Sequence, residues 1–159
     1  MVQKWGEVGK SGSTKRKGGV DVFGSYQHSL DTKGRLFIPA KMREELGEAF
    51  YVTISTERCL TAYTEEGWQD LMRRVRALPK MSQYKMRPLF AQAERCELDN
   101  QGRILLPLRL REHAGLKKNV TIVGMMDEAQ FWDSDVYAGI EAQEETPENV
   151  AEIFRTLEL

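Results

Sequence analysis

The chain has 159 residues, of which 41% are hydrophobic, and a formal net charge of -1 at pH 7. This length suits one compact unit or two very small ones, and the charge excludes a uniformly basic nucleic-acid coat. No apolar run approaches the ~20 residues needed to cross a bilayer, and the two cysteines, Cys59 and Cys96, lack the spacing of a metal knuckle. We therefore expect a soluble, intracellular protein with structural thiols, no metal and no cofactor.

The first 22 residues differ in composition from the rest of the chain. Basic residues such as Lys15, Arg16 and Lys17 are interspersed there with glycine and serine. Such a segment has too little apolar surface to order itself by burial. We predict a flexible basic tail over residues 1–22.

The next stretch has the pattern of short strands joined by turns. Alternating and short apolar runs predict strands at residues 23–30, 36–38, 50–54 and 59–63. Pro39 stops the second of these, and helix formers from Ala40 to Leu46 predict a short helix with Gly47 as its C-terminal cap.

Two helices are predicted in the middle of the chain and one at its end. The first is predicted after Thr64, where apolar residues recur at helical spacing until Pro79 ends the helix. The second is predicted over about 82–95. The segment 73–95 is rich in arginine and lysine. By contrast, residues 119–154 contain nine acidic residues and no lysine or arginine, and a short helix is predicted over 148–159.

The first pattern returns after a shift of 68 residues. Residues 29–47 and 97–115 share eight identities in 19 positions, where chance gives about one. The identical pairs are Leu30/Leu98, Asp31/Asp99, Gly34/Gly102, Arg35/Arg103, Pro39/Pro107, Arg43/Arg111, Glu44/Glu112 and Gly47/Gly115. The chain is therefore predicted to contain two copies of one small module, which need each other because so short a unit buries little surface alone.

This duplication gives a prediction for the domain organisation. The predicted segments are a basic tail at 1–22, a first repeat at 23–70, a helical connector at 71–95, a second repeat at 96–138 and an acidic C-terminal tail or helix at 139–159.

Each repeat contains the pattern L-D-x-x-G-R, followed by three apolar residues and a proline. The physical interpretation is a strand, a tight turn and a second strand. Asp31 and Asp99 are predicted to accept hydrogen bonds from turn amides, and Gly34 and Gly102 to supply backbone freedom. The arginine that follows each glycine is predicted to lie on the hairpin, where its long cationic side chain can extend away from the protein surface.

In this paired motif the sequence resembles the MraZ family, the regulators of the bacterial division and cell-wall gene cluster. The resemblance is carried by residues 23–35 with Pro39, and by residues 97–103 with Pro107 and 111–116. It runs from about Phe23 to Tyr137. A single copy of the motif would indicate only the wider AbrB/SpoVT-like group.

The resemblance implies an α+β, mostly β fold, in which tandem AbrB-like swapped-hairpin modules form a pseudo-dimeric barrel with short helices. It also implies a ring-like homo-oligomer of about eight or twelve chains. The implied function is that of a transcriptional repressor that binds direct repeats in double-stranded DNA upstream of its own operon. Such a protein is expected in the cytoplasm, on the nucleoid.

The same resemblance indicates which residues contact DNA. Lys33 and Arg35 of the first turn match the DNA-contacting signature of the family, and Thr32 lies beside them. In the second copy Gln101 replaces the lysine, so Arg103 is its only motif cation. We predict that the first copy makes the main contacts with DNA and that the second mainly completes the barrel and the ring.

Other interpretations remain open for these residues and for the protein. Arg35 and Arg103 can instead be structural, with Glu44 and Glu112 as candidate ion-pair partners. No nucleophile elbow, phosphate-binding loop, dinucleotide motif or HExxH motif is present, so no enzyme and no small-molecule substrate are predicted. An antitoxin-like or scaffold interaction module of the same fold is the alternative function, although two copies and a short acidic terminus argue against it.

Overall fold

A computed structural model describes residues 21–159. The predicted tail over 1–22 lies outside the described residues, apart from its last two positions. Val22 is fully buried and exchanges two backbone hydrogen bonds with Met126, each 2.8 Å long. The packed part of the chain therefore includes Val22.

The described chain contains eight strands and seven helices. The strands are β1 (Ser25–Ser29), β2 (Arg35–Phe37), β3 (Ala49–Ile54), β4 (Leu60–Tyr63), β5 (Glu94–Glu97), β6 (Arg103–Leu105), β7 (Asn119–Met125) and β8 (Glu128–Asp133). The helices are α1 (Ala40–Leu46), α2 (Glu65–Arg76), α3 (Lys80–Tyr84), α4 (Arg87–Ala91), α5 (Leu108–His113), α6 (Ser134–Glu144) and α7 (Pro147–Thr156). The α+β fold built on β-sheet that we predicted is confirmed.

The two repeats have the same element order, and their strands pair across the repeat boundary. β1 pairs with β7 of the second repeat, β5 pairs with β3 of the first, and β4 pairs with β8. β2 and β6 form a separate two-stranded sheet. All of these pairs are antiparallel. Each repeat thus depends on the other for its edge strand, as expected for modules too small to stand alone.

The predicted pseudo-dimeric barrel is not a closed one in its strand pairing over residues 21–159. The larger sheet has the order β1-β7-β8-β4-β3-β5, so β1 and β5 remain as its edges. β2 and β6 are only three residues long, and their ladder pairs them with each other. Apart from a single bridge between Leu30 and Leu36, they do not join the larger sheet. The result is two sheets around a shared core.

The core contains apolar side chains from both repeats. Leu36 and Ile104 lie directly opposite each other in the β2–β6 ladder and are 0% and 1% exposed. Phe131 and Trp132 of β8 are also buried, as is Trp68, which stacks on Tyr51 with ring centroids 4.7 Å apart. These aromatic residues anchor the core.

Proline, glycine and side-chain caps set the ends of the helices. Pro39 and Pro107 precede α1 and α5 in extended backbone. Gly47 ends α1 at φ +92°, and its N–H donates to the Arg43 carbonyl oxygen. Thr64 caps α2 through a 3.0 Å hydrogen bond from the Gly67 N–H to its Oγ1. None of the helices between residues 21 and 159 combines the length and apolar character needed to cross a bilayer.

The single helix predicted over residues 82–95 is wrong. The chain forms α3 and α4 there, and then enters β5 at Glu94. Pro88 is tolerated near the start of α4 because the first-turn N–H groups lack helical partners, but it cannot continue a preceding helix. Arg95 and Cys96 pair instead with Tyr51 and Phe50 of β3. The helix predicted over 148–159 corresponds to α7.

The pairing of Leu36 with Ile104 predicts a shared stability contribution of the two repeats. Leu36→Ala or Ile104→Ala should each lower the free energy of unfolding by about 2–5 kcal/mol, because each leaves a cavity between β2 and β6. Chemical denaturation of the two single variants and the double variant measures this, and the two effects should be non-additive. Leu105→Ala is the matched control: this side chain is 60% exposed, and its loss should change stability by less than about 0.5 kcal/mol. Equal losses for Leu105 and Ile104 would contradict the assignment.

Candidate nucleic-acid interface

The turn between β1 and β2 is organised by one carboxylate. Oδ1 of Asp31 accepts hydrogen bonds from the backbone N–H groups of Lys33 and Arg35, both at 2.9 Å. Its Oδ2 accepts from Nε of Arg35 at 2.6 Å. Gly34 has φ +84°, a backbone conformation that residues with a Cβ atom rarely adopt. The turn therefore holds the Arg35 side chain in one direction by its Nε.

The turn between β5 and β6 repeats this geometry. Oδ1 of Asp99 accepts from the N–H groups of Gln101 and Arg103 at 2.8 and 2.9 Å, and Oδ2 accepts from Nε of Arg103 at 2.9 Å. Gly102 has φ +79°. The second turn has therefore kept the geometry of the first, although Gln101 stands where the first turn has Lys33.

The aspartates of both turns are stabilised as carboxylates. The pKa of Asp31 is lowered, and the largest cause is the hydrogen bond from the Arg35 backbone N–H. The Arg35 side chain and the Lys33 N–H lower it further, and together these contacts outweigh the opposite effect of partial desolvation. The pKa of Asp99 is lowered in the same way, first by the Arg103 backbone N–H. Both turns are thus built around a charged acceptor rather than a neutral acid.

Antiparallel pairing of β2 with β6 brings the arginines of the two turns onto one surface. Arg35 lies opposite Leu105, and Phe37 lies opposite Arg103. Since Leu36 and Ile104 between them point into the core, these four side chains share the outer face of the sheet. We call this face the ribbon face. One turn lies at each end of it.

Contacts between the two repeats confirm how close the arginines lie. Nη1 of Arg103 is 3.9 Å from Oδ2 of Asp31, the carboxylate that holds Arg35. The Arg103 guanidinium also lies 5.8 Å from the centre of the Phe37 ring, within cation–π range. The side chains of Arg35 and Arg103 are 33% and 18% exposed, so Arg103 is the more enclosed of the two.

The other predicted contact residues lie at the first turn. Thr32 and Lys33 are exposed, as is Gln101 at the second turn. Four predicted DNA-binding residues, Thr32, Lys33, Arg35 and Arg103, are therefore brought together around one ribbon. The carboxylates that contact Arg35 and Arg103 among the described residues are Asp31 and Asp99, and not the Glu44 and Glu112 named as candidates.

Sequence reasoning missed two residues of the ribbon face. Phe37 and Leu105 are 40% and 60% exposed although they lie in short apolar runs. The signal was present in the alternation of strand side chains: a buried Leu36 requires that Arg35 and Phe37 share the opposite face. Strands of three residues contain too few positions to establish this alternation from the sequence.

The two cysteines play no part in this surface. Cys59 and Cys96 are both buried and free. Burial raises the pKa of the Cys59 thiol to about 11 and that of Cys96 to about 12. Both remain neutral thiols at physiological pH, as the structural interpretation predicted.

The lowered pKa of Asp31 predicts a pH-dependent contribution to stability. The contribution is fully present above the ordinary pKa of 3.8 and is lost as pH falls through the lower pKa of the folded state. Asp31→Asn should therefore be less stable than the wild type at pH 7, and the difference should shrink on acidification below pH 3.8. Denaturant unfolding of both proteins across the acid range measures this, with Asp99→Asn expected to behave alike. A difference that does not change with pH would contradict it.

Comparison with known proteins gives one consistent result. Residues 22–86 and 89–156 match the family described as "MraZ protein, putative antitoxin-like". The chain is 43% identical over 134 residues to a protein of Acetivibrio thermocellus named "Transcriptional regulator MraZ", an alignment that covers 82% of this chain and 94% of that protein.

Other relatives with the same name support the assignment. The protein of Heliobacterium modesticaldum is 45% identical over 115 residues, covering 70% of this chain and 80% of the relative. That of Carboxydothermus hydrogenoformans is 44% identical over 117 residues, covering 72% and 82%. These relatives are named as regulators, in agreement with the prediction that the chain is not an enzyme. With two family matches that together span the repeats, and with relatives of this identity, the chain belongs to the MraZ family.

Proposed function

We propose that this protein is a transcriptional regulator that binds double-stranded DNA through the ribbon face and the two turns beside it. The observation that carries the proposal is the placement of Arg35 and Arg103, one from each repeat, on the outer face of one two-stranded sheet. Each is held at Nε by its own aspartate, so contacts with DNA would be made by the terminal nitrogens of the guanidinium. In Arg103 one of these nitrogens also lies 3.9 Å from Oδ2 of Asp31, so Arg35 has the freer guanidinium. The names of the relatives support regulation of transcription.

A two-stranded antiparallel ribbon suits the shape of DNA. The major groove is about 12 Å wide and admits such a ribbon, whose outward side chains then meet the base edges. Arginine contacts guanine through two parallel hydrogen bonds, and apolar side chains contact the thymine methyl group. The ribbon face offers both kinds of group, with Phe37 and Leu105 beside the arginines. Lys33 at the exposed turn is suited to a phosphate.

The finer functional assignment rests on the family resemblance. The resemblance implies that the protein is a repressor of the division and cell-wall gene cluster. Such a repressor would bind direct repeats upstream of its own operon, in the cytoplasm and on the nucleoid. The exchange of β1 and β5 between repeats supports the swapped-hairpin arrangement of the family. Several copies of the ribbon in one ring would bind repeated sites more tightly through effective concentration.

An interaction module of the same fold is the second candidate function. The observation that favours it is the last helix, α7, which carries a row of exposed apolar side chains. These are Val150, Ile153, Phe154 and, just beyond the helix, Leu157. Such a surface suits a protein partner. If the protein binds upstream DNA no better than random DNA, this second function is favoured.

Replacement of the first-turn arginine tests the proposed function. Arg35→Ala should weaken binding to the DNA fragment upstream of the protein's own gene by about 1–3 kcal/mol, because a positioned base or phosphate contact is lost. Fluorescence anisotropy at a stated salt concentration measures the affinity. Arg155→Ala, an equal change of charge on α7, should bind like the wild type. Light scattering on the same samples must show an unchanged oligomer. Unchanged affinity in Arg35→Ala would remove the assignment of the first turn.

Exchange of one residue between the turns tests the predicted lead of the first repeat. Lys33→Gln gives the first turn the composition of the second, and Gln101→Lys does the reverse. The logarithm of the affinity falls as the logarithm of the salt concentration rises. If Lys33 binds a phosphate, Lys33→Gln should make this slope shallower by about 1 for each Lys33 that contacts DNA. Gln101→Lys should raise the slope if the second turn also lies on DNA. Identical slopes for the wild type and Lys33→Gln would contradict the phosphate contact.

A further inference from the structure

Two arginines that correspond in the repeats lie against the turns of the opposite repeat. Arg111 belongs to α5 of the second repeat, yet its guanidinium covers Gly34 of the first turn. A Cβ atom added to Gly34 would lie only 2.8 Å from Cζ and Nη2 of Arg111. The Gly34 backbone is buried as a result. No residue larger than glycine fits beneath this guanidinium without displacing it.

A side-chain hydrogen bond and a backbone hydrogen bond connect Arg111 to the same turn. Its Nε donates to the carbonyl oxygen of Leu106 at 2.9 Å. The N–H of Leu106 in turn donates to the carbonyl oxygen of Gly34, also at 2.9 Å. The guanidinium therefore lies over the point where the end of β6 meets the first turn, and fixes both.

The corresponding arginine of the first repeat makes the mirrored contact. Arg43 of α1 covers Gly102 of the second turn, where an added Cβ would lie 2.8 Å from its Cζ and closer still to its Nη1. The Ile38 N–H donates to the Gly102 carbonyl oxygen at 3.0 Å, as the Leu106 N–H does to Gly34. Both repeats place this arginine over the glycine of the opposite turn, which argues that the packing is a built feature and not a chance placement of a long side chain. The hydrogen bond from Nε to a carbonyl oxygen is a contact of Arg111.

We infer that Arg111 and Arg43 are positioning residues, each of which holds the DNA-contacting turn of the other repeat in its binding conformation. Arg111 acts on Lys33 and Arg35 through Gly34, and Arg43 acts on Arg103 through Gly102. The inference rests on the proposed function for its consequence on DNA, while the crossed contact itself can be tested without DNA. It assigns a role to a pair of identical residues that the hairpin motif leaves unexplained.

The crossed contact makes each DNA-contacting turn depend on both repeats. The first turn contains the cations that we expect to lead on DNA, but the residue that covers its glycine comes from the second repeat. The glycine is then required twice over, by its positive φ and by the guanidinium packed on its Cα. Arginine suits this place because its planar, delocalised group packs flat against a backbone while its N–H groups reach carbonyl oxygens.

Hydrogen exchange of the full-length protein without DNA tests the crossed contact. Arg111→Ala should raise amide exchange at residues 31–35 by about tenfold, which corresponds to about 1.4 kcal/mol, and leave residues 99–103 near the wild-type rate. Arg43→Ala should give the opposite pattern. The matched control is Arg109→Ala, on the same helix as Arg111, whose side chain is exposed and pairs with Glu94; neither turn should change. Equal loosening of both turns, or of neither, would overturn the inference.

DNA binding of the same variants tests the functional consequence. Arg111→Ala should bind the fragment upstream of the gene about tenfold more weakly with an unchanged salt slope, because no phosphate contact is lost. A slope lowered by about 1 would show that Arg111 itself binds a phosphate, and would overturn the positioning role. Arg111→Lys keeps the charge but not the planar group, so it should resemble Arg111→Ala and guards against a variant that fails to fold.

The outcomes separate this inference from the proposed function. If Arg35→Ala loses affinity and Arg111→Ala does not, the inference fails and the DNA-binding function stands. If the wild type shows no preference for the upstream fragment but the exchange pattern is crossed, the positioning contact stands and the proposed function fails.

Discussion

The antiparallel pairing of β2 with β6 is the contact on which the rest of the structure depends. It is only three residues long, yet it buries Leu36 against Ile104 and joins the hairpins of both repeats. Because strand side chains alternate, the burial of these two residues forces Arg35, Phe37, Arg103 and Leu105 to the outside. The core and the candidate interface are thus two faces of the same small sheet.

This arrangement gives a physical reason for the duplication. One repeat supplies a turn with its aspartate, glycine and arginine, but neither its edge pairing nor the residue that covers its glycine. The edge pairing comes from the other repeat, since β7 pairs with β1 and β3 pairs with β5. The glycines are also covered from the other repeat, by Arg111 at the first turn and by Arg43 at the second. A single copy would therefore leave both the hairpin edge and the buried face of the turn exposed.

The two turns have equivalent places on the ribbon face, although the first is predicted to make the main contacts with DNA. The second repeat lacks the lysine and is predicted mainly to complete the barrel and the ring. Its Arg103 nevertheless lies on the ribbon face beside Phe37, within 3.9 Å of the carboxylate that holds Arg35. Any molecule that meets the ribbon face therefore meets both repeats, although the more enclosed Arg103 has less freedom to reach outward than Arg35.

The sequence by itself determined the repeat, the two turns and their residues, because these depend on local chemistry: an aspartate that accepts turn amides, a glycine at positive φ and a proline before each helix. It also identified the family. Tertiary structure alone decided that the sheet stays open, that β5 and not a helix includes Arg95, and that Phe37 and Leu105 face outward. Those outcomes depend on which strand lies beside which, and partners about 40 to 70 residues apart leave no local signal.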